Sequence, residues 1–353
     1  MASIWPRAER LPSLDEICKH QAFLTAIWQL EPSQSGILSI DPKNGGPYPI
    51  SWEVHGEGPV KLILIGGLGV TKTDYQNQTL YFGHLRGNEY SVLLVDNRGV
   101  GTSDKSFVLS GYSTTSMAQC ILEVANHLGW TEPRQLHVGG GSMGGMISQE
   151  VGRLAPDRIA SLSLLSTAAK IENTGNFREY LTRSFGMLLP KTLEKDIQDT
   201  ATGCFPASWL HGTDDAEFPN DQTPRCKLPE LGYGRFESNY ARWAAQEVIK
   251  NRNQHFTSTG FWMQAMAAGK HGLNKSQLKE LGDRVGRERI LVLHGDDDQM
   301  ISVELGKRLI ANLQPGRSII AEGLGHAPIQ QRPRWLNGVL EEQMKNGETQ
   351  SGR

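Results

Sequence analysis

At 353 residues with a formal net charge of −2, the chain is long enough for one large domain or two ordinary ones, and it has no basic surplus to attract nucleic acid. Hydrophobic residues at 38% and charged residues at 21% exclude wholesale disorder. No apolar run approaches the roughly 20 residues that span a bilayer, and the first stretch, with Arg7, Arg10, Asp15 and Glu16, has no apolar signal core. A cytoplasmic protein with no membrane partner is expected.

Residues 1–35 are expected as an N-terminal extension. "GILSI" (36–40) and "PISWEVHG" (49–56) then predict an antiparallel hairpin across the turn-rich "DPKNGGPY". Apolar runs follow at "VKLILIGG" (60–67), "SVLLVDNRG" (91–99), "QLHVGGGS" (135–142) and "IASLSLLST" (159–167), and later at "RILVLHGD" (289–296) and "RSIIAEG" (317–323). Such continuous runs suit strands covered on both faces, giving a mostly parallel eight-stranded sheet with helices on either side. Met117, Ile121, Val124, Ala125 and Leu128 recur at helical spacing, as do Met146, Ile147, Val151 and Leu154 before Pro156.

Residues 168–288 are too long for an ordinary crossover between the sixth and seventh strands, and predict an inserted helical cap. The segment holds thirteen of the chain's twenty-six aromatics, among them Phe177, Trp209, Tyr240, Trp243, Phe261 and Trp262. They suit either an apolar substrate pocket or the cap's own core. Its stretch 211–234 is rich in Pro and Gly and is expected to be irregular. The core domain is assigned to 36–167 and 289–345, with a C-terminal helix over 332–345 and a frayed tail at 346–353. Cys18, Cys120, Cys204 and Cys226 form no C-x-x-C pair and are expected as free, buried thiols, with a Cys204–Cys226 disulfide as the minor alternative.

"HVGGGSMGGMISQE" (137–150) places a serine among five glycines between a strand and a helix. Gly140-Gly141-Ser142-Met143-Gly144 is G-x-S-x-G at a strand-to-helix turn, the nucleophile elbow. The turn is tight enough that neighbours bearing a Cβ would collide, and it lifts the Ser142 hydroxyl clear of the sheet. A Gly-rich phosphate loop is the alternative. However, the chain has no G-x-x-x-x-G-K-[ST], and a dinucleotide fingerprint belongs near the first βαβ unit.

Over residues 36–345 the chain resembles the α/β-hydrolase fold family, on "LIGGLG" (64–69), "DNRGVGTSD" (96–104), "GGSMGG" (140–145) and the late "HGDDD" and "GLGHAP" (294–298, 324–328), all in the family's order. An alcohol needs a base to become nucleophilic near neutral pH, and histidine, with an unperturbed pKa near 6.5, suits that task. The resemblance implies the chain order Ser, acid, His, and His326 is the histidine that follows the late acidic cluster. The family's G-x-x-D maps Gly295 onto Asp298 as the acid, with Asp297 and, more remotely, Glu172 as alternatives. The aspartate run also suits a solvated turn or a metal site, but no matching ligand set is found; neither metal nor cofactor is expected.

The resemblance also implies backbone N–H donors for an oxyanion at Met143 and at Leu68, with Leu68 as pocket wall the minor alternative. Gly66 stands where the family often has His. Asp96, Arg98 and Ser103 are expected to organise their loop rather than react.

The implied activity is serine hydrolysis of an ester, lactone or thioester of a mainly apolar small molecule. The alternatives are acyl transfer or carbon–carbon bond hydrolysis by the same triad, and a non-catalytic binding protein on this fold. "GGSMGGM" also resembles the elbow of homoserine O-acetyltransferases. A diffuse resemblance to fungal secondary-metabolism hydrolases points toward a lactone or polyketide-derived ester.

Overall fold

The computed structural model describes residues 10–41, 46–106, 112–172 and 191–352. The apolar runs form β1 (Gln34–Ile40), β2 (Tyr48–His55), β3 (Val60–Ile65), β4 (Tyr90–Val95), β5 (Leu136–Gly141), β6 (Ile159–Leu165), β7 (Ile290–Gly295) and β8 (Arg317–Ala321). They make one eight-stranded sheet in the order β8-β7-β6-β5-β3-β4-β2-β1. Neighbours from β8 to β4 are parallel. Only β2 breaks the pattern, running antiparallel to both β4 and β1, so the expected hairpin is the antiparallel edge.

Burial on both faces explains why the central strands are mostly apolar. Ile63, Ile65, Leu93 and Val292 point to one face, where they meet Met117, Ile121, Ile147 and Val151. Their neighbours Leu62, Leu64, Val92, Leu291 and Leu293 point to the other, against Phe82, Leu336, Leu340 and Met344. Burying each Leu or Ile in this way is worth roughly 2 kcal/mol relative to exposure.

The helices used below are α1 (Leu14–Lys19), α2 (Thr114–His127), α3 (Met143–Leu154), α4 (Leu193–Cys204), α5 (Asn239–Arg252), α6 (Ser258–Lys270), α7 (Lys275–Val285), α8 (Val303–Leu313) and α9 (Pro333–Gln350). Helices α2, α3, α7 and α8 cover the first face and α9 the second. Leu154, expected on the buried side of α3, is 43% exposed, because the helix ends there and the chain turns away at Pro156. The expected frayed tail is also corrected. Helix α9 runs on to Gln350, held by the Arg289 guanidinium, which donates to the carbonyls of Gly347 and Gln350 and to Ser351 Oγ.

Between β6 and β7, α4 and α5 build a separate apolar cluster with Phe205, Leu210 and Phe236, and the N-terminal stretch joins it through Ile17, Ala22, Phe23 and Ala26. Aromatic residues of the segment are spent on this core. Phe205 stacks on Trp209 with ring centroids 4.1 Å apart and meets Trp243 edge-on. Phe177 lies outside the described residues. Within the irregular 211–234 stretch, Cys226–Lys227 pairs with Gln29–Leu30 in a short ribbon. All four cysteines are free, but only Cys120 is buried; Cys18, Cys204 and Cys226 sit in partly exposed positions near the ends of their elements, which corrects the expectation of four buried thiols.

Candidate active site

Strand β5 delivers the chain to Ser142, whose φ of 56° and ψ of −124° are unfavourable for a residue with a Cβ. Neighbouring contacts fix this conformation. The Ser142 N–H donates to the Leu165 carbonyl at 3.0 Å, and its own carbonyl accepts from Thr167 Oγ1 at 2.7 Å. The flanking glycines are required by crowding, since a Cβ on Gly144 would fall 2.0 Å from the Ile65 carbonyl oxygen and one on Gly140 2.3 Å from that of Gly144. Met143 opens α3, and among the described residues its N–H has no hydrogen-bond partner. It therefore points a free donor and the positive end of a helix toward the serine.

The acid and the histidine meet across two other loops. Asp298, after β7, accepts from His326 Nδ1, after β8, at 2.7 Å. The other carboxylate oxygen accepts from the N–H groups of Met300 and Ile301 at 2.8 and 2.9 Å. Burial pushes the Asp298 carboxyl upward, but the charge of His326 and hydrogen bonds from His294 and His326 outweigh it and hold the group well below the usual carboxylate range. An ionised Asp298 keeps a proton on the facing Nδ1 of His326, which leaves Nε2 as the ring nitrogen that can accept one.

The alternative acids are elsewhere. Asp296 accepts from the Gly323 N–H, Asp297 from Gln299 Nε2, and Glu172 from the exposed Arg308. Met146, one turn into α3, packs in a small cluster with Ala168, Ile301 and Leu305, which brings the Asp298 loop against the elbow helix. Among the described residues no hydrogen bond joins Ser142 Oγ to His326 Nε2.

The loop after β3 crosses the elbow. A Cβ on Gly67 would lie 3.2 Å from Ser142 Cβ and 3.8 Å from the Met143 nitrogen. Leu68 follows, partly exposed, and among the described residues its N–H has no hydrogen-bond partner. Gly66, where the family often has His, is held through its carbonyl by Asn97 Nδ2 at 2.8 Å. The "DNRGVGTSD" segment organises loops. Asp96 accepts from the N–H groups of Lys72 and Thr102, Ser103 Oγ donates to the Asp96 carbonyl, and Arg98 pairs with Asp104 between the rings of Tyr48 and Tyr112.

His294 is a site residue that the sequence reading passed over, although it stands in the same "HGDDD" as Asp298. Its Nε2 donates to the Ile301 carbonyl at 2.8 Å and lies 3.2 Å from Asp298 Oδ2, while Nδ1 faces Gly306 with no partner. This buried ring therefore supports the acid from beneath.

Among the described residues no three His, Cys, Asp or Glu side chains converge to hold a metal, and no helix is long and apolar enough to cross a membrane. A groove of about 420 Å³ lined by Gln119, Glu123, Asp157 and Arg158 lies at the opposite, N-terminal end of β6 and includes none of the residues above.

The model of the alpha/beta hydrolase fold family matches residues 62–333. The chain belongs to the α/β-hydrolase fold family. Over 117 residues it is 33% identical to a dihydrolipoyllysine-residue acetyltransferase component of the acetoin cleaving system of Pseudomonas putida, covering 33% of this chain and 29% of that protein. The chain spans between 29% and 58% of the length of the first curated relatives it matches. A thermophilic esterase from Thermogutta terrifontis superposes with a TM-score of 0.63 at 19% identity, covering 89% of this chain and 99% of that one. An enol-lactonase from Burkholderia xenovorans LB400 gives 0.63 at 15% identity, covering 88% and 100%.

Proposed function

We propose that the chain is a serine hydrolase that opens a carboxylic ester, lactone or thioester of a small, mainly apolar molecule through an acyl-enzyme on Ser142. The observation that carries this reading is the 2.7 Å bond between Asp298 and His326, in a chain that also holds a strained serine at a helix N-terminus. His326 Nε2 takes the Ser142 proton as Oγ bonds to the carbonyl carbon. The carbonyl oxygen gains negative charge and is met by the N–H groups of Leu68 and Met143. Collapse breaks the bond to the leaving alkoxide or thiolate, which receives the proton from His326. Water, deprotonated by the same nitrogen, then releases the acid and restores Ser142. Catalytic hydrogen bonds are often long before substrate binds, so this role does not require a Ser142–His326 bond in the resting chain.

Incubation with a fluorophosphonate, followed by peptide mass spectrometry, tests the assignment. A stoichiometric adduct on Ser142, absent in Ser142→Ala, is expected. Folded protein that stays unlabelled at Ser142 refutes it and favours a binding protein on the same fold. Supplying an acceptor alcohol with an activated ester separates hydrolysis from acyl transfer, since product formed only with the acceptor would exclude plain hydrolysis.

A further inference from the structure

Gln264 has no role in the chemistry above, yet it is fully buried and touches two loops of the site. It lies on α6, and its Oε1 accepts from the Gly69 N–H at 2.9 Å. Its Nε2 donates to the Arg98 carbonyl at 2.7 Å. The opposed roles of the two atoms fix the amide in one orientation. Both bonds are formed away from water, where a lost partner is costly.

The contact is supported on all sides. A Cβ on Gly260, one turn earlier on α6, would fall 1.8 Å from the Gly99 carbonyl oxygen, so the helix sits directly on the loop after β4. Phe256 packs against Gly69, where a Cβ would lie 3.0 Å from its ring. At the far end of the same loop, Asp74 is paired with the buried Lys250 of α5 at 3.4 Å, and its carboxylate also accepts from the Thr71 N–H at 2.7 Å. The segment from Gly66 to Asp74 is thus pinned by two helices inserted between β6 and β7. Within it, Gly69 donates to Gln264 and Val70 to the Gly67 carbonyl, which leaves the Leu68 N–H free beside the elbow.

We propose that Gln264 is a positioning residue for the oxyanion donor: by holding the Gly69 amide it sets the direction of the Leu68 N–H. This rests on the serine-hydrolase reading. It makes the inserted segment part of the catalytic geometry. The Leu68 N–H lies in the preceding peptide plane, whose Gly67 carbonyl accepts from the Val70 N–H at 3.3 Å, so releasing Gly69 acts on the donor by loosening this Gly67–Val70 turn. A donor misplaced by about 1 Å costs on the order of 10²-fold in rate. Because Gln264 stands behind the loop, its loss acts on the donor alone, leaving KM and the pH profile of turnover unchanged.

The test uses full-length protein with p-nitrophenyl butyrate as substrate and phenylboronic acid as the tetrahedral mimic on Ser142. Gln264→Met fills the space without either hydrogen bond. Its kcat is expected to fall about 10²-fold with KM within two-fold, an unchanged pH midpoint, and phenylboronic acid affinity falling in step with kcat. Gln264→Glu keeps an acceptor for Gly69 and is expected to hold kcat within ten-fold of wild type. A folded Gln264→Met enzyme within three-fold of wild type in kcat overturns the proposal and leaves the assignment of Ser142 standing. So does a folded Gln264→Glu enzyme slowed 10²-fold, which tests the idea even if the methionine variant fails to fold. Wild-type protein inert at Ser142 overturns both readings together.

Discussion

Replacing Asp298 with Asn alters a single atom of the candidate site and produces a large predicted effect. The asparagine oxygen can still accept from the Met300 and Ile301 N–H groups, which now bond Oδ1 at 2.8 and 2.9 Å, so the loop keeps its shape. The amide nitrogen then replaces the oxygen that faces His326 Nδ1 at 2.7 Å. Two donors cannot share that contact, so His326 moves its proton to Nε2 and ceases to be a base. The imidazolium formed during reaction also loses its counter-charge. Together these effects are expected to lower kcat by about 10⁴-fold, or roughly 5 kcal/mol of barrier. Asp298 is buried beneath the histidine, with its side chain fully inaccessible, so KM should stay within a factor of about three, as for an interaction made in the transition state alone. Ester turnover measured from pH 6 to 9, with a thermal melt to confirm folding, is the assay. A folded Asp298→Asn enzyme retaining more than a tenth of wild-type kcat would refute the role assigned to Asp298.

Acid stability offers an independent check through His271, a buried ring bonded to Thr114 Oγ1 at 2.9 Å and lying 4.0 Å from Glu150. Burial, with a smaller contribution from Arg153, lowers its pKa from 6.5 to about 4. The unfolded chain therefore binds this proton first as pH falls, and stability present above pH 6.5 is lost on the way down to about 4, worth roughly 3 kcal/mol. Urea titrations at pH 7 and pH 4 should show His271→Gln losing about 3 kcal/mol less than wild type over that interval; equal losses would refute the coupling. Ser161→Ala removes a hydroxyl bonded to His137 Nδ1 at 2.8 Å, and it should lower the melting temperature while leaving ester turnover within two-fold. A loss of activity matching that of Ser142→Ala would place the chemistry at the wrong serine.

The sheet was legible because its signal is local. Strands buried on both faces read as nearly continuous apolar runs, and β4, β6 and β7 are buried from end to end, with their few polar positions, such as Ser91, Ser161 and His294, hydrogen-bonded. The elbow was legible for the same reason, since its glycines answer to contacts within a few residues and to the adjoining strand. The choice among Asp296, Asp297 and Asp298 was only partly legible. It depends on how the turn after β7 is tied: the N–H groups of Asp296 and Asp297 bond the carbonyls of Ala321 and Leu324, and the next residue then faces inward. Leu154 misled because helical period says nothing about where a helix loses its cover. The C-terminal helix outran its expected end through Arg289, whose partner Ser351 is 62 residues away in sequence. Gln264 could not have been found at all. A lone glutamine on a helix has no pattern, and its partner Gly69 lies 195 residues distant.

Among the described residues a second serine, histidine and acid stand together besides the candidate set, and the contrast shows what the proposed nucleophile requires. Ser161 Oγ, His137 and Glu348 are joined by bonds of 2.8 and 2.9 Å, a more continuous relay than the one at Ser142. Yet Ser161 is 1% exposed within strand β6, where its backbone is extended and no carbonyl substrate can approach. No helix begins at it, so no N–H groups stand ready for an oxyanion. Hydrogen-bond continuity there fastens the end of α9 to the sheet. At Ser142 the backbone is strained, the residue is partly exposed, and the Met143 N–H beside it and the Leu68 N–H in the adjoining loop have no partner among the described residues. Proton transfer is the part of the task that any buried relay can perform. Access for a carbonyl and donors aimed at the charge that forms on it are the scarcer requirements, and in this chain only the elbow after β5 combines them among the described residues.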